Sequence, residues 1–110
     1  MTKYHSRKIT VNGIVFDSHR EARRYQELLL LLRAGEISQL EMQKKYTLIP
    51  AQKKPSGGTE RAVTYTADFV YTDNRTGKKV VEDTKGVKTQ QYIIRRKLML
   101  WAHGIEVNEV

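Results

Sequence analysis

Asp68, Asp83 and Lys85 form the set of side chains in this chain most suited to metal-assisted chemistry. They lie in two runs rich in β-branched and aromatic residues, Tyr65–Tyr71 and Lys79–Lys85, separated by Asp73-Asn74-Arg75-Thr76-Gly77-Lys78. A cluster of Asn, Asp and Gly between two such runs predicts a hairpin. Pairing symmetric about the turn sets Thr72 opposite Lys79 and Asp68 opposite Asp83. Directly opposed side chains leave a sheet on one face, with Cβ atoms about 5 Å apart. Two carboxylates there repel unless something positive lies between them, and a divalent cation is the simplest candidate. Lys85, two residues beyond Asp83, shares its face. The expected constellation is a cation-sized gap between carboxylates with an ammonium beside it. The other reading of either acid is a buried or edge carboxylate paired with a neighbouring Arg or Lys. Glu82 points to the opposite face by alternation, where a surface ion pair is expected.

Several elements must position that hairpin. Ser18-His19-Arg20-Glu21 has the form of a capping box, so a helix is expected from there to Ala34, stopping at Gly35. At 100° per residue, Tyr25, Leu28 and Leu32 fall within about 40° of Glu21. Glu21 thus sits at the end of the apolar stripe and faces the sheet, as a cap residue or as a third carboxylate of the site. Val11–Phe16 predicts a short hairpin with Asn12-Gly13 at its turn. Residues 1–10 are expected to be a frayed arm or a first edge strand. Glu41–Ile49 predicts a strand ended by Pro50, with Gln43 at its start beside Lys44 and Lys45. Gln52–Arg61 is expected to be a mobile loop carrying Lys53 and Lys54. A second helix is expected from Thr89 to His103, ending at Gly104, with Ile94, Leu98 and Trp101 as its core stripe. Ile105–Val110 alternates and predicts a last strand. The order helix, three strands, helix, strand describes one α/β domain.

Composition narrows the function classes. A chain of 110 residues with 39% hydrophobic residues is expected to form one domain with one core. It has no cysteine, which excludes disulfides and thiolate metal sites. No signal-peptide pattern and no apolar run near 18 residues occur, so a cytoplasmic protein with no membrane association is expected. Lys and Arg number 20 against 12 Asp and Glu, a net charge of +8. That excess favours a polyanionic partner, usually nucleic acid. Lys53, Lys54, Lys88, Gln91, Arg95 and Arg96 are candidate contacts to it, with Gln43 a further candidate near the acids. Each could equally belong to an ordinary solvated face. Gly57-Gly58 is not followed by Lys and Ser or Thr, so no nucleotide cofactor is expected.

The pattern Asp68…Asp83-Thr84-Lys85 on two arms of a hairpin, with Glu21 upstream and a basic helix downstream, resembles the PD-(D/E)XK, or restriction-endonuclease-like, nuclease superfamily. Small phage- and prophage-encoded members are the most similar in organisation. The resemblance runs from about Val11 to Val110 and departs in one place: Ala67, not proline, precedes the first acid. It implies a restriction-endonuclease-like core, a central mixed sheet flanked by helices in α-β-β-β-α-β order. By that resemblance Asp68, Asp83 and Glu21 hold Mg²⁺, with Mn²⁺ a substitute, and Lys85 completes the catalytic set. The implied activity is endonucleolytic hydrolysis of DNA, with Lys85 positioning or deprotonating water or stabilising charge on the phosphate. A small basic domain with little room for sequence reading is suited to DNA shape, such as junctions, and junction cutting implies a homodimer. The alternative is a non-catalytic or partner-dependent nucleic-acid-binding accessory protein on the same scaffold.

Overall fold

Asn12 and Gly13 take φ of 52° and 78°, both left-handed, the combination that an Asn-Gly hairpin turn requires. In this computed structural model, which describes residues 8–110, they join β1 (Ile9–Val11) to β2 (Ile14–Phe16). Most of the expected N-terminal arm lies outside the described residues. Helix α1 (His19–Arg33) starts where the Ser18 hydroxyl accepts the Glu21 N–H at 3.1 Å. It ends at Ala34, before Gly35 at φ 77°.

The main sheet is built from β3 (Ile37–Ile49), β6 (Val63–Asp73), β7 (Lys78–Asp83) and β8 (Asn108–Glu109), in spatial order β3-β6-β7-β8. The first three pair antiparallel and β8 runs parallel to β7, so the sheet is mixed. The parallel pair requires a crossover, which α2 (Gln90–His103) supplies between Thr89 as N-cap and Gly104, left-handed at φ 65°, as C-cap. Strand β3 is longer than expected and begins at Ile37. The segment expected to be a mobile loop forms a small hairpin, β4 (Gln52–Lys53) with β5 (Thr59–Glu60), closed by Lys54 N–H to Gly58 O at 3.1 Å.

Each face of the sheet has its own core. Phe16, Ala22, Tyr25, Leu28, Phe69 and Tyr71 pack under α1 and the β1–β2 hairpin. Leu48, Tyr65, Val70, Val81, Tyr92 and Met99 pack under α2. Ile94 and Trp101, expected in the α2 core, are instead 55% and 80% exposed. The helix carries apolar residues around most of its circumference, so its pattern admits several phases, and packing on the sheet selects Tyr92 and Met99. Leu32 likewise lies at the rim, 39% exposed.

Two strands change face halfway along. In β3, Leu40 and Met42 pack toward α1, but Tyr46 and Leu48 pack toward α2. In β6, Tyr65 and Ala67 pack toward α2, but Phe69 and Tyr71 pack toward α1. A regular strand keeps residues two apart on one side, so the alternation reverses between these pairs. Gln43, inside the reversal of β3, has φ 53°, and Asp68 lies inside that of β6.

Candidate active site

The turn sets the register that symmetry predicts. Thr72 pairs with Lys79 and Phe69 with Glu82, so Asp68 and Asp83 stand at the next position, where the ladder ends. Their carboxylates have different surroundings. Asp68 is half-buried, and its Oδ2 accepts both the N–H and the hydroxyl of Thr84, at 2.9 and 2.8 Å. Its Oδ1 accepts a long 3.3 Å bond from Gln43 Nε2. Asp83 is only 1% exposed. Its Oδ2 accepts the Tyr65 hydroxyl at 2.5 Å, and its buried Oδ1 has no hydrogen-bond partner. Lys85 lies beyond the end of β7, not within it. Its Nζ is 3.7 Å from that Oδ1 and 5.0 Å from the centre of the Tyr92 ring. Glu21 reaches this point from α1, where its Oε2 accepts Gln43 Nε2 at 3.0 Å. The Ser18 half of the capping box is formed, while the Glu21 carboxylate is turned to Gln43.

Burial and crowding of like charges perturb these acids. Burial, then Asp68, Asp17 and Asp83, push Glu21 up to about 7. Asp83 is pushed up to about 6, chiefly by burial and further by Asp68, against the Tyr65 hydroxyl and Lys85. Tyr65 is itself raised by burial and by its bond to Asp83, so its hydroxyl stays a donor. The acids line two cavities. One of about 430 Å³, on the α1 side, is lined by Asp17, Glu21, Gln43 and Asp68. The other, of about 340 Å³, is lined by Tyr65, Asp83, Lys85, Gln91 and Arg95. The opposed acids therefore line different cavities, Asp68 the first and Asp83 the second, and the face reversal of β6 accounts for it.

The chain matches, over residues 1–108, a family described as a protein of unknown function, DUF1064. It belongs to the DUF1064 family. No curated protein and no solved structure matches it.

In this DUF1064 chain the sequence-predicted residues fall into three groups. Glu21, Gln43, Asp68, Asp83 and Lys85 come together where the β6–β7 ladder ends, midway along β3 and β6. Gln91 and Arg95 line the second cavity beside Lys85, although Arg95 Nε also donates to Thr64 O at 3.0 Å. Lys88 and Arg96 are drawn away to Glu109, at 3.0 and 2.8 Å; the Tyr92 hydroxyl first, then Arg96 and Lys88, hold its carboxyl down at about 2. Lys53 and Lys54 are exposed on the β4–β5 hairpin. Glu82 does point to the opposite face, but it is not a surface residue. It is 2% exposed under α1, where Arg24 grips both its oxygens at 2.9 and 2.6 Å and Tyr71 donates to it. Sequence reasoning missed Tyr65 and Thr84 as partners of the two acids. Thr84 stands inside the Asp83…Lys85 triplet. Nothing local marks Tyr65, because its bond to Asp83 exists only once the strands pair.

The donor set suits a hard cation. Carboxylate oxygens are what Mg²⁺ and Mn²⁺ select, and a buried carboxylate oxygen without a partner is the kind of atom that a cation satisfies. Among the described residues, no group of three or more His, Cys, Asp or Glu side chains stands ready to hold a metal ion. Gln43 occupies the space between Glu21 and Asp68. Also among the described residues, no helix is long and apolar enough to cross a membrane.

Proposed function

We propose that the protein is a divalent-metal-dependent DNA endonuclease with a restriction-endonuclease-like core, acting in the cytoplasm of a bacterial host on phage recombination or replication intermediates. The observation that carries this reading is the buried Oδ1 of Asp83, which has no hydrogen-bond partner and only a long, 3.7 Å ion pair with the Lys85 ammonium. A carboxylate kept in that condition is costly to the fold, and such costs concentrate where chemistry needs them. Asp68, Asp83 and Glu21 are the residues that would hold Mg²⁺ or Mn²⁺. The bound ion would polarise a phosphate and lower the pKa of water. Tyr65 and Thr84 fix the rotamers of Asp83 and Asp68. Lys85, pinned between Asp83 and the Tyr92 ring, is placed to orient the attacking water or to neutralise charge on the phosphate. Gln91 and Arg95, lining the same cavity, are suited to phosphate contact, and the overall charge of +8 favours DNA as partner.

The reading extends to substrate and assembly. A single small domain is better fitted to DNA shape than to base sequence, so branched DNA is the proposed substrate and a homodimer the proposed active form. The test is cleavage of labelled four-way junction, flap and linear duplex in Mg²⁺ or Mn²⁺, by wild type and Asp83→Asn. Metal-dependent cutting that prefers branched DNA, and is lost in Asp83→Asn with binding retained, is expected. Equal cutting of linear duplex would remove the substrate proposal. Tight DNA binding without cutting would favour the second reading, a non-catalytic or partner-dependent accessory protein. That reading draws on the Gln43 amide, which already ties Glu21 to Asp68 without any ion.

A further inference from the structure

Gln43 stands in an unusual place for a glutamine. Its neighbours Met42 and Lys44 pair regularly with Phe69 and Ala67, so Gln43 lies opposite Asp68 in an unbroken register. Yet its φ is 53°, in the left-handed region that a non-glycine residue enters at a cost. Gln39 shares this conformation, but it sits in the register shift between Ser38 and Glu41. At Gln43 the compensation is the side chain. Its Nε2 donates to Glu21 Oε2 at 3.0 Å and to Asp68 Oδ1 at 3.3 Å. One neutral NH₂ group thus joins two carboxylates from different elements, α1 and β6, as a small cation would.

We propose that Gln43 is a placeholder for the divalent cation, cross-linking Glu21 and Asp68 in the cation-free protein and releasing them when the ion binds. This rests on the metal-site reading above and adds a control to it. An interaction present only in the cation-free state stabilises that state and weakens cation binding by the same factor. Gln43 therefore keeps the site assembled and lowers its affinity. A charge-assisted hydrogen bond at the lower end of its range, as befits an exposed glutamine, corresponds to roughly tenfold in affinity.

Two variants test this by calorimetric titration with Mn²⁺, with Asp68→Asn identifying the site. Gln43→Asn keeps a residue tolerant of the left-handed region but falls one methylene short of bridging. Gln43→Gly removes the side chain and the backbone cost together. Each is expected to bind Mn²⁺ roughly tenfold more tightly than wild type. Gln43→Asn should also melt at a lower temperature in chelator and regain wild-type stability in saturating Mn²⁺. A side chain that merely supports the fold would lower stability and affinity together. Equal or weaker Mn²⁺ binding by both variants would overturn the placeholder role and leave the metal site standing. No Mn²⁺ bound by wild type or either variant would overturn both. Binding by the variants alone would support the placeholder strongly.

Discussion

Replacing Asp83 with asparagine should make the protein more stable at pH 8. Asp83 is 1% exposed, and its carboxyl is raised from an ordinary value of 3.8 to about 6. A carboxyl with a raised folded-state pKa binds its proton more readily in the folded than in the unfolded chain. Its ionisation costs nothing below about pH 4, where both states are protonated. The cost grows as pH rises through 4 to 6 and is complete above that. At about 1.36 kcal/mol per pH unit, it reaches roughly 3 kcal/mol. Asparagine never ionises and still accepts the Tyr65 hydroxyl. The raised value of about 6 is already net of the charged form's bond to the Tyr65 hydroxyl and its attraction to Lys85. The expectation is therefore a gain of roughly 3 kcal/mol at pH 8, falling toward zero near pH 4. Urea unfolding of both proteins in chelator, at pH 4, 6 and 8, measures it. In a domain of this size the gain corresponds to roughly 4–8 °C in Tm per kcal/mol. An Asp83→Asn protein less stable than wild type at pH 8, or with an unchanged pH dependence, would show that the ionised Asp83 does not cost the fold. Asp83 would then be a structural anchor, and the proposed function would lose its main support.

Two further outcomes follow from the packing. Arg24→Met leaves Glu82 buried without its cation and should cost about 3 kcal/mol or more in urea unfolding; a loss under about 1 kcal/mol would contradict the buried pair. Met99→Ala should cost about 2–5 kcal/mol, whereas Trp101→Ser, 80% exposed, should change stability by no more than about 0.5 kcal/mol. Comparable losses in the two would place the face of α2 that meets the sheet elsewhere.

The cost that Asp83 imposes also separates two roles for an acid. A structural carboxylate is satisfied by its neighbours, as Glu82 is by Arg24 and Tyr71. Asp83 keeps one oxygen unsatisfied one residue further along the same strand. Adjacent residues on opposite faces thus show an acid tuned for the fold and an acid held at the fold's expense.

By itself, the sequence determined what local chemistry determines. Asn12-Gly13 demands φ above zero, Ser18 caps α1, and Gly35 and Gly104 end the two helices, and each acts where expected. The Asp73–Lys78 turn carried the register far enough to set Asp68 beside Asp83, because hairpin pairing is counted outward from the turn. Tertiary structure decided whatever depends on which surfaces meet. It chose Tyr92 and Met99 over Ile94 and Trp101, since a helix apolar around most of its circumference has no unique buried side. It buried Glu82, because α1 delivers Arg24 to that face from 58 residues away in sequence. It also turned β3 and β6 over at Gln43 and Asp68. Strict alternation offers no hint of that reversal, and it divides the acids between two cavities with Gln43 linking Glu21 to Asp68.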